Sequence, residues 1–243
     1  TKKTALLRAA QNGHLFVVEM LLSQGANLHA NAFDMSGEGG TPLIQAARNG
    51  HAEVLLGLLR AGAVINDLDL MFHHSALMVA ALNGHGKSAV LLLDAGADPM
   101  LKDSSGRSAL LLAATNNHLS VVIQLLDAGQ KGGQKDSKGN GIWHLMAMSD
   151  VENEDNDSSY GSEQKEESTS RIMHELISRG VLLDTFNSAG ETALMIAVKR
   201  GKVKIIKNLL ELGASPVVQT PDGESALTLA EASGNDELLK LLR

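Results

Sequence analysis

The sequence predicts an all-α array of stacked helix–turn–helix units, and three observations carry that prediction. One segment pattern recurs six times in phase with a base period of 33 residues. Aromatic residues are only 2% of a chain that is 44% hydrophobic, which suits thin layers of small aliphatic side chains better than one thick core. Each copy places apolar residues at i, i+3, i+4 spacing between glycine-marked ends.

The copies begin at Thr4 (TALLRAAQNGHLFVVEMLLSQGAN), Thr41 (TPLIQAARNGHAEVLLGLLRAGAV), Ser75 (SALMVAALNGHGKSAVLLLDAGAD), Ser108 (SALLLAATNNHLSVVIQLLDAGQK), Thr192 (TALMIAVKRGKVKIIKNLLELGAS) and Ser225 (SALTLAEASGNDELLKLLR). A divergent seventh, GIWHLMAM, begins at Gly141. Successive starts lie 37, 34, 33, 33, 51 and 33 residues apart, so the excess length sits before Thr41, Ser75 and Thr192.

The second copy shows how the elements arise. Thr41 is an N-cap, its hydroxyl accepting from an early backbone N–H, and Pro42 fits the first helical position, where a missing N–H costs nothing. Leu43, Ala46 and Ala47 form a narrow apolar face whose alanines admit a close neighbour. Asn49-Gly50 ends the first helix. A second helix starts near Ala52, carries Val54, Leu55, Leu58 and Leu59, and stops at Gly62. About ten residues of turn or hairpin then lead to the next N-cap.

With the 33-residue period, the T-P-L start, the paired alanines, the G-H turn, the V-V-x-x-L-L helix and the G-A-D ending, essentially the whole chain resembles the ankyrin repeat family. The resemblance implies a solenoid of helix pairs with β-hairpin fingers to one side. It also implies a concave surface of fingers and first helices that takes another protein. The family's His after T-P-L is replaced by Leu7, Ile44, Met78, Leu111, Met195 and Thr228, and is kept only as His144. Apolar packing is expected to stand in for the inter-repeat hydrogen bond at the other six. The repeat from Gly141 also lacks the alanine pair and the G-H turn, and is expected to be the least regular layer. The whole chain, 1–243, reads as one domain. The last copy, with Glu231, Asp236, Glu237, Lys240 and Arg243, suits a polar cap. The first copy has no preceding finger and modest polarity, so the array or another domain is expected to continue before Thr1.

Charge is uneven. The net charge is −7, and residues 149–168 alone hold eight acids (Asp150, Glu152, Glu154, Asp155, Asp157, Glu163, Glu166, Glu167) against Lys165. The rest is balanced. This composition predicts a flexible acidic insertion in repeat five, with the second helix resuming near Arg171. The insertion is either a tolerated surface loop or a regulatory segment, one that competes for a basic surface or carries phosphate on Ser158, Ser159, Tyr160 or Ser162. With no cysteine, disulfides and thiolate chemistry are excluded. No apolar run approaches the ~18 residues of a membrane span. The setting expected is the cytoplasm, the nucleus, or a host cytosol for a bacterial effector.

Two surfaces stand out as partner sites. The finger at residues 66–74, NDLDLMFHH, lacks the D-x-x-G turn and places Leu68, Leu70, Met71 and Phe72 where variable, exposed residues belong, with Leu70, Met71, Phe72 and His74 expected to contact the partner. Phe33 and Met35 belong to the preceding long finger. Adaptable Met and Phe clusters suit a binding anchor, whereas a refolded finger would tuck them against a neighbour. A basic set, Lys102, Arg107, Lys135, Lys138, Lys199 and Arg200, maps to fingers and inner helices and suits an acidic partner or plain solvation. Arg48, Leu82, Thr115 and Asn116 complete the expected contact set from the inner helices.

Catalytic and cofactor chemistry is not expected. His14, His51, His85 and His118 recur at one phase and read as turn residues. His73-His74 has no matching ligand spacing. The glycines at 37, 39 and 40 are not followed by a phosphate-loop Lys-Ser/Thr. Each serine at a helix start is explained as a cap. Neither a basic excess nor stacking aromatics favour nucleic acid. The sequence thus reads as a scaffold or adaptor for a protein or peptide, monomeric, without metal or cofactor. The alternative is a substrate-recruiting or regulatory part of a larger enzyme, membrane protein or effector.

Overall fold

The computed structural model describes residues 4–32, 39–149 and 162–243, with the side chains of 162–168 left aside. It is helical: seven inner helices alternate with seven outer ones among the described residues. The inner set is α1 (Ala5–Gln11), α3 (Pro42–Arg48), α5 (Ala76–Leu82), α7 (Ala109–Thr115), α9 (Ile142–Met148), α11 (Ala193–Lys199) and α13 (Ala226–Ser233). The outer set is α2 (Leu15–Ser23), α4 (Ala52–Arg60), α6 (Gly86–Asp94), α8 (Leu119–Asp127), α10 (Ser162–Ser178), α12 (Val203–Glu211) and α14 (Asp236–Leu242). Strand pairing among the described residues is limited to the bridges Ala32–Gly40, Leu68–Ser75 and Lys135–Gly141, which close fingers.

The caps act as the sequence requires. The side chains of Thr4, Thr41, Ser75, Thr192 and Ser225 accept from the backbone N–H three residues on. Each removes one unpaired donor, worth ~1 kcal/mol. Inner helices are seven or eight residues because the next turn must come at once; alone they would be marginal, and burial holds them. Ala46, Ala47, Ala80, Ala81, Ala113 and Ala114 are fully buried, so backbone approaches backbone between layers.

The chain divides into two compact units, one of residues 1–113 and 120–130, the other of 114–119 and 131–243. In the first, α1, α3 and α5 pack side by side, with α2, α4 and α6 behind them. In the second, α9, α11 and α13 form the inner row.

The structure corrects the reading of the insertion. Helix α10 begins at Ser162, not near Arg171. Residues 163–167, EQKEE, are strong helix formers that extend the helix backwards in the chain, once the breakers of 149–161 are passed. Residues 150–161 lie outside the described residues.

Candidate protein-binding surface

The finger before α5 is built on Asp69. Its Oδ1 accepts the backbone N–H groups of Phe72 at 2.7 Å and Met71 at 3.1 Å, and its own N–H donates to the His74 carbonyl at 2.9 Å. This Asx-type turn holds the backbone of the tip while Leu70, Met71 and Phe72 stay 57, 36 and 36% exposed. The extra residue in this finger puts His73 in the left-handed region (φ +58°), where later fingers have glycine.

His74 departs from expectation. It is 5% exposed and cannot contact a partner directly. With His73 taking the left-handed turn, His74 swings inward. Its Nδ1 lies 3.4 Å from Asp69 Oδ2 and its Nε2 3.5 Å from Asp103 Oδ2. Asp103 also accepts from Arg107 Nε at 2.8 Å. The Phe72 and His74 rings stack obliquely, 5.4 Å apart, and the Phe72 carbonyl accepts from Ser104 N–H at 2.8 Å. Burial opposes charge on His74, but the carboxylates of Asp103 and Asp69 outweigh it and raise the imidazole above its ordinary range. Burial is likewise outweighed at Asp69, which His74 and the two tip amides hold low, and at Asp103, which His74 and Arg107 bring down to about 2.

Phe33 and Met35 lie outside the described residues. Gln45 Nε2 and Arg48 Nη2 donate to the Gly39 carbonyl at 2.9 and 3.3 Å, so Arg48 holds the backbone just ahead of α3. Leu82 and Asn116 are half-buried. Thr115 offers its carbonyl to Ser149 Oγ at 2.8 Å.

Most of the basic set is already engaged. Besides the Arg107–Asp103 pair, Lys135 Nζ donates to the Phe186 carbonyl at 2.7 Å, and Arg200 Nη1 to that of Met148 at 2.8 Å, capping α9. Lys199 Nζ bridges Glu191 at 2.9 Å and Glu224 at 3.6 Å. Lys199 holds Glu191 below the carboxylate range, and Glu191 in turn holds Lys199 above its own. These two glutamates line a cleft of about 390 Å³ between the fingers at 187–191 and 220–224. Lys102 and Lys138 are exposed. Arg107 and Lys199 are thus paired with carboxylates, whereas Lys135 and Arg200 donate to neutral backbone carbonyls and keep their charge.

The turn histidines bind their own stack. His51 Nε2 meets the Gln11 carbonyl at 3.0 Å and His85 Nε2 the Arg48 carbonyl at 2.9 Å. His144, fully buried, accepts from Gly141 N–H at Nδ1 (3.2 Å) and meets the Glu191 carbonyl at Nε2 (3.0 Å). That pattern requires the neutral ring protonated at Nε2, and burial pushes its pKa down. At the equivalent slots, Leu7, Ile44, Met78, Leu111 and Met195 are buried apolar side chains. Thr228 is the exception, exposed and accepting from Ser225 N–H at 2.8 Å. Among the described residues no three His, Asp or Glu side chains are grouped to hold a metal, and no helix is long and apolar enough to cross a membrane.

A sequence profile described as Ankyrin repeats (3 copies) matches residues 1–69, 65–138 and 164–243. The chain belongs to the ankyrin repeat family. As a member of it, the chain carries repeats that generally mediate protein–protein interaction and are typically non-catalytic. The human ASB11 ankyrin repeat domain superposes with a TM-score of 0.76 over 98% of this chain and 96% of that one, at 20% identity, which shows the all-α ankyrin fold. Two inactive serine/threonine-protein kinases named TEX14 are similar over one segment. The Bos taurus protein is 36% identical over 67 residues, 28% of this chain and 4% of that protein. The Mus musculus protein is 31% identical over 70 residues, 29% of this chain and 5% of that protein.

Proposed function

We propose that this ankyrin repeat chain binds a partner protein or peptide through its fingers and inner helices, with Leu70, Met71 and Phe72 as the main anchor. The observation that carries the reading is an exposed apolar tip on a backbone fixed by Asp69. A pre-ordered tip loses little entropy on binding, and Met and Phe supply adaptable apolar contact. A second reading, a recruiting segment within a larger protein, is favoured by the TEX14 relatives, where the matched segment is 4 and 5% of the whole. The binding chemistry is the same in both.

The test is affinity purification with the wild-type chain and with Met71→Ala/Phe72→Ala, followed by titration of the partner recovered. Asp69 holds the backbone of the tip, so circular dichroism should be unchanged. Affinity is expected to fall about tenfold or more, the loss typical of a truncated anchor. Equal retention of every partner by both chains would rule out this finger as the anchor.

A further inference from the structure

We propose that His74 is a protonation-dependent clamp that ties the Leu70–Phe72 tip to the neighbouring finger and sets how firmly the tip is presented. The proposal rests on the reading of that tip as the partner anchor, but its structural half stands on the geometry alone.

Both ring nitrogens of this buried histidine face a carboxylate oxygen, Asp69 Oδ2 at 3.4 Å and Asp103 Oδ2 at 3.5 Å. Carboxylates at neutral pH only accept hydrogen bonds. A neutral imidazole has one N–H and one lone pair, so one nitrogen would set its lone pair against an anionic oxygen. Both contacts are ion-pair approaches rather than formed hydrogen bonds, and only the imidazolium is attracted to the carboxylates on both sides. Among the described residues the charged groups facing the ring are Asp69 on its own finger and Asp103 on the next, with Arg107 behind Asp103. Both carboxyl groups stay ionised well below neutrality and Arg107 stays charged. The ring is therefore the member of the cluster that changes state between mildly acidic and mildly alkaline pH.

The clamp reaches the tip by short routes. Asp69, which holds His74, also holds the Met71 and Phe72 amides. The Phe72 ring lies over the His74 ring, and its carbonyl is bonded to Ser104, next to Asp103. Neighbouring fingers show the design without the switch. The slot of His74 is filled by Arg107 against Asp103 and by Asn140 against Asp136, the first permanently charged and the second neutral. Of these three, only the histidine titrates near neutrality. Because the folded pKa of His74 is raised, its contribution is full below the unfolded value of 6.5 and is lost as pH rises through the folded value.

The experiment is an NMR titration of the full 243-residue chain from pH 5.5 to 9, following the His74 ring and the amides of Met71, Phe72 and Ser104. The His74 midpoint should lie above 6.5, and the three amides should shift with that same midpoint. Exchange of the Phe72 and Ser104 amides, corrected for intrinsic base catalysis, should accelerate about tenfold per pK unit by which His74 is raised. His74→Arg, copying the next finger, should hold the tip at every pH. His74→Asn, copying the finger after that, should also make the tip pH-independent. A His74 midpoint at or below 6.5, amides that ignore it, or a tip that still titrates in His74→Arg would overturn the clamp. The wild-type titration needs neither a stable variant nor a partner. Failure of the clamp is thus read separately from failure of the binding reading, which Met71→Ala/Phe72→Ala decides. If both hold, the partner recovered by wild type should bind more weakly at pH 8.5 than at pH 6.5, and equally at both to His74→Arg. A wild-type affinity that is flat or rises with pH would overturn the clamp's control of binding.

Discussion

Replacing Trp143 with alanine is expected to destabilise the second unit by about 3–5 kcal/mol, the range for deleting a large buried ring. Trp143 is 1% exposed and heads the largest fully buried side chains. It sits on α9, which packs along α11. The other six repeats fill the same slot with Leu6, Leu43, Leu77, Leu110, Leu194 and Leu227. Trp143→Leu should therefore cost much less, about 1–2 kcal/mol. It opens a smaller cavity and removes an indole Nε1–H that is buried without a hydrogen-bond partner. Trp143→Phe, which keeps most of the ring and drops the unpaired donor, should be milder still. Hydrogen exchange of the α9 and α11 amides checks the order Ala, Leu, Phe within the unit concerned, which matters because repeat arrays need not unfold in one step. An alanine variant no weaker than the leucine variant would mean that this layer collapses around the gap.

The periodic part of the structure was legible because its causes are local. Caps, paired alanines and turn glycines act within a few residues of themselves, so Thr41, Ala46, Ala47 and Gly50 could be assigned without knowing their neighbours. The exposed tip was legible for a related reason: it occupies a slot that the period marks as surface. The side-chain direction of His74 was not. It depends on one inserted residue that forces His73 into the left-handed region and on Asp103, a repeat away. The regular recurrence of Asp69, Asp103 and Asp136 at finger starts was the signal that could have found the cluster. The local bonds of the basic set were not legible either. Lys135 and Arg200 satisfy carbonyls of Phe186 and Met148, 51 and 52 residues distant in sequence, and charge counting cannot see backbone acceptors. The start of α10 was missed because acidic composition was read as disorder, although EQKEE has high helix propensity.

Gly50→Ala should cost about 2–4 kcal/mol, well beyond what a lost glycine alone explains. Gly50 joins α3 to α4 at φ +72°, where an L side chain costs ~1–2 kcal/mol. Its neighbour in the stack adds the rest. A Cβ there would lie 2.7 Å from His85 Nδ1 and 3.0 Å from Cγ. The His85 ring must move, and with it goes the 2.9 Å contact with the Arg48 carbonyl, a further ~1 kcal/mol. Gly13 and His51 repeat the arrangement one layer earlier, with the added carbon 2.6 Å from the ring. The turn glycine of one repeat is thus the seat for the turn histidine of the next. Gly62→Ala separates the two causes, since Gly62 also has positive φ (+93°) but no atom within 4 Å of the added carbon. It should lose only the backbone share. Urea denaturation of Gly50→Ala, His85→Ala and the double variant completes the test. If the ring clash is the cause, the double variant will be less destabilised than the sum of the singles; strict additivity, or equal losses for Gly50→Ala and Gly62→Ala, would show that His85 does not rest on this glycine.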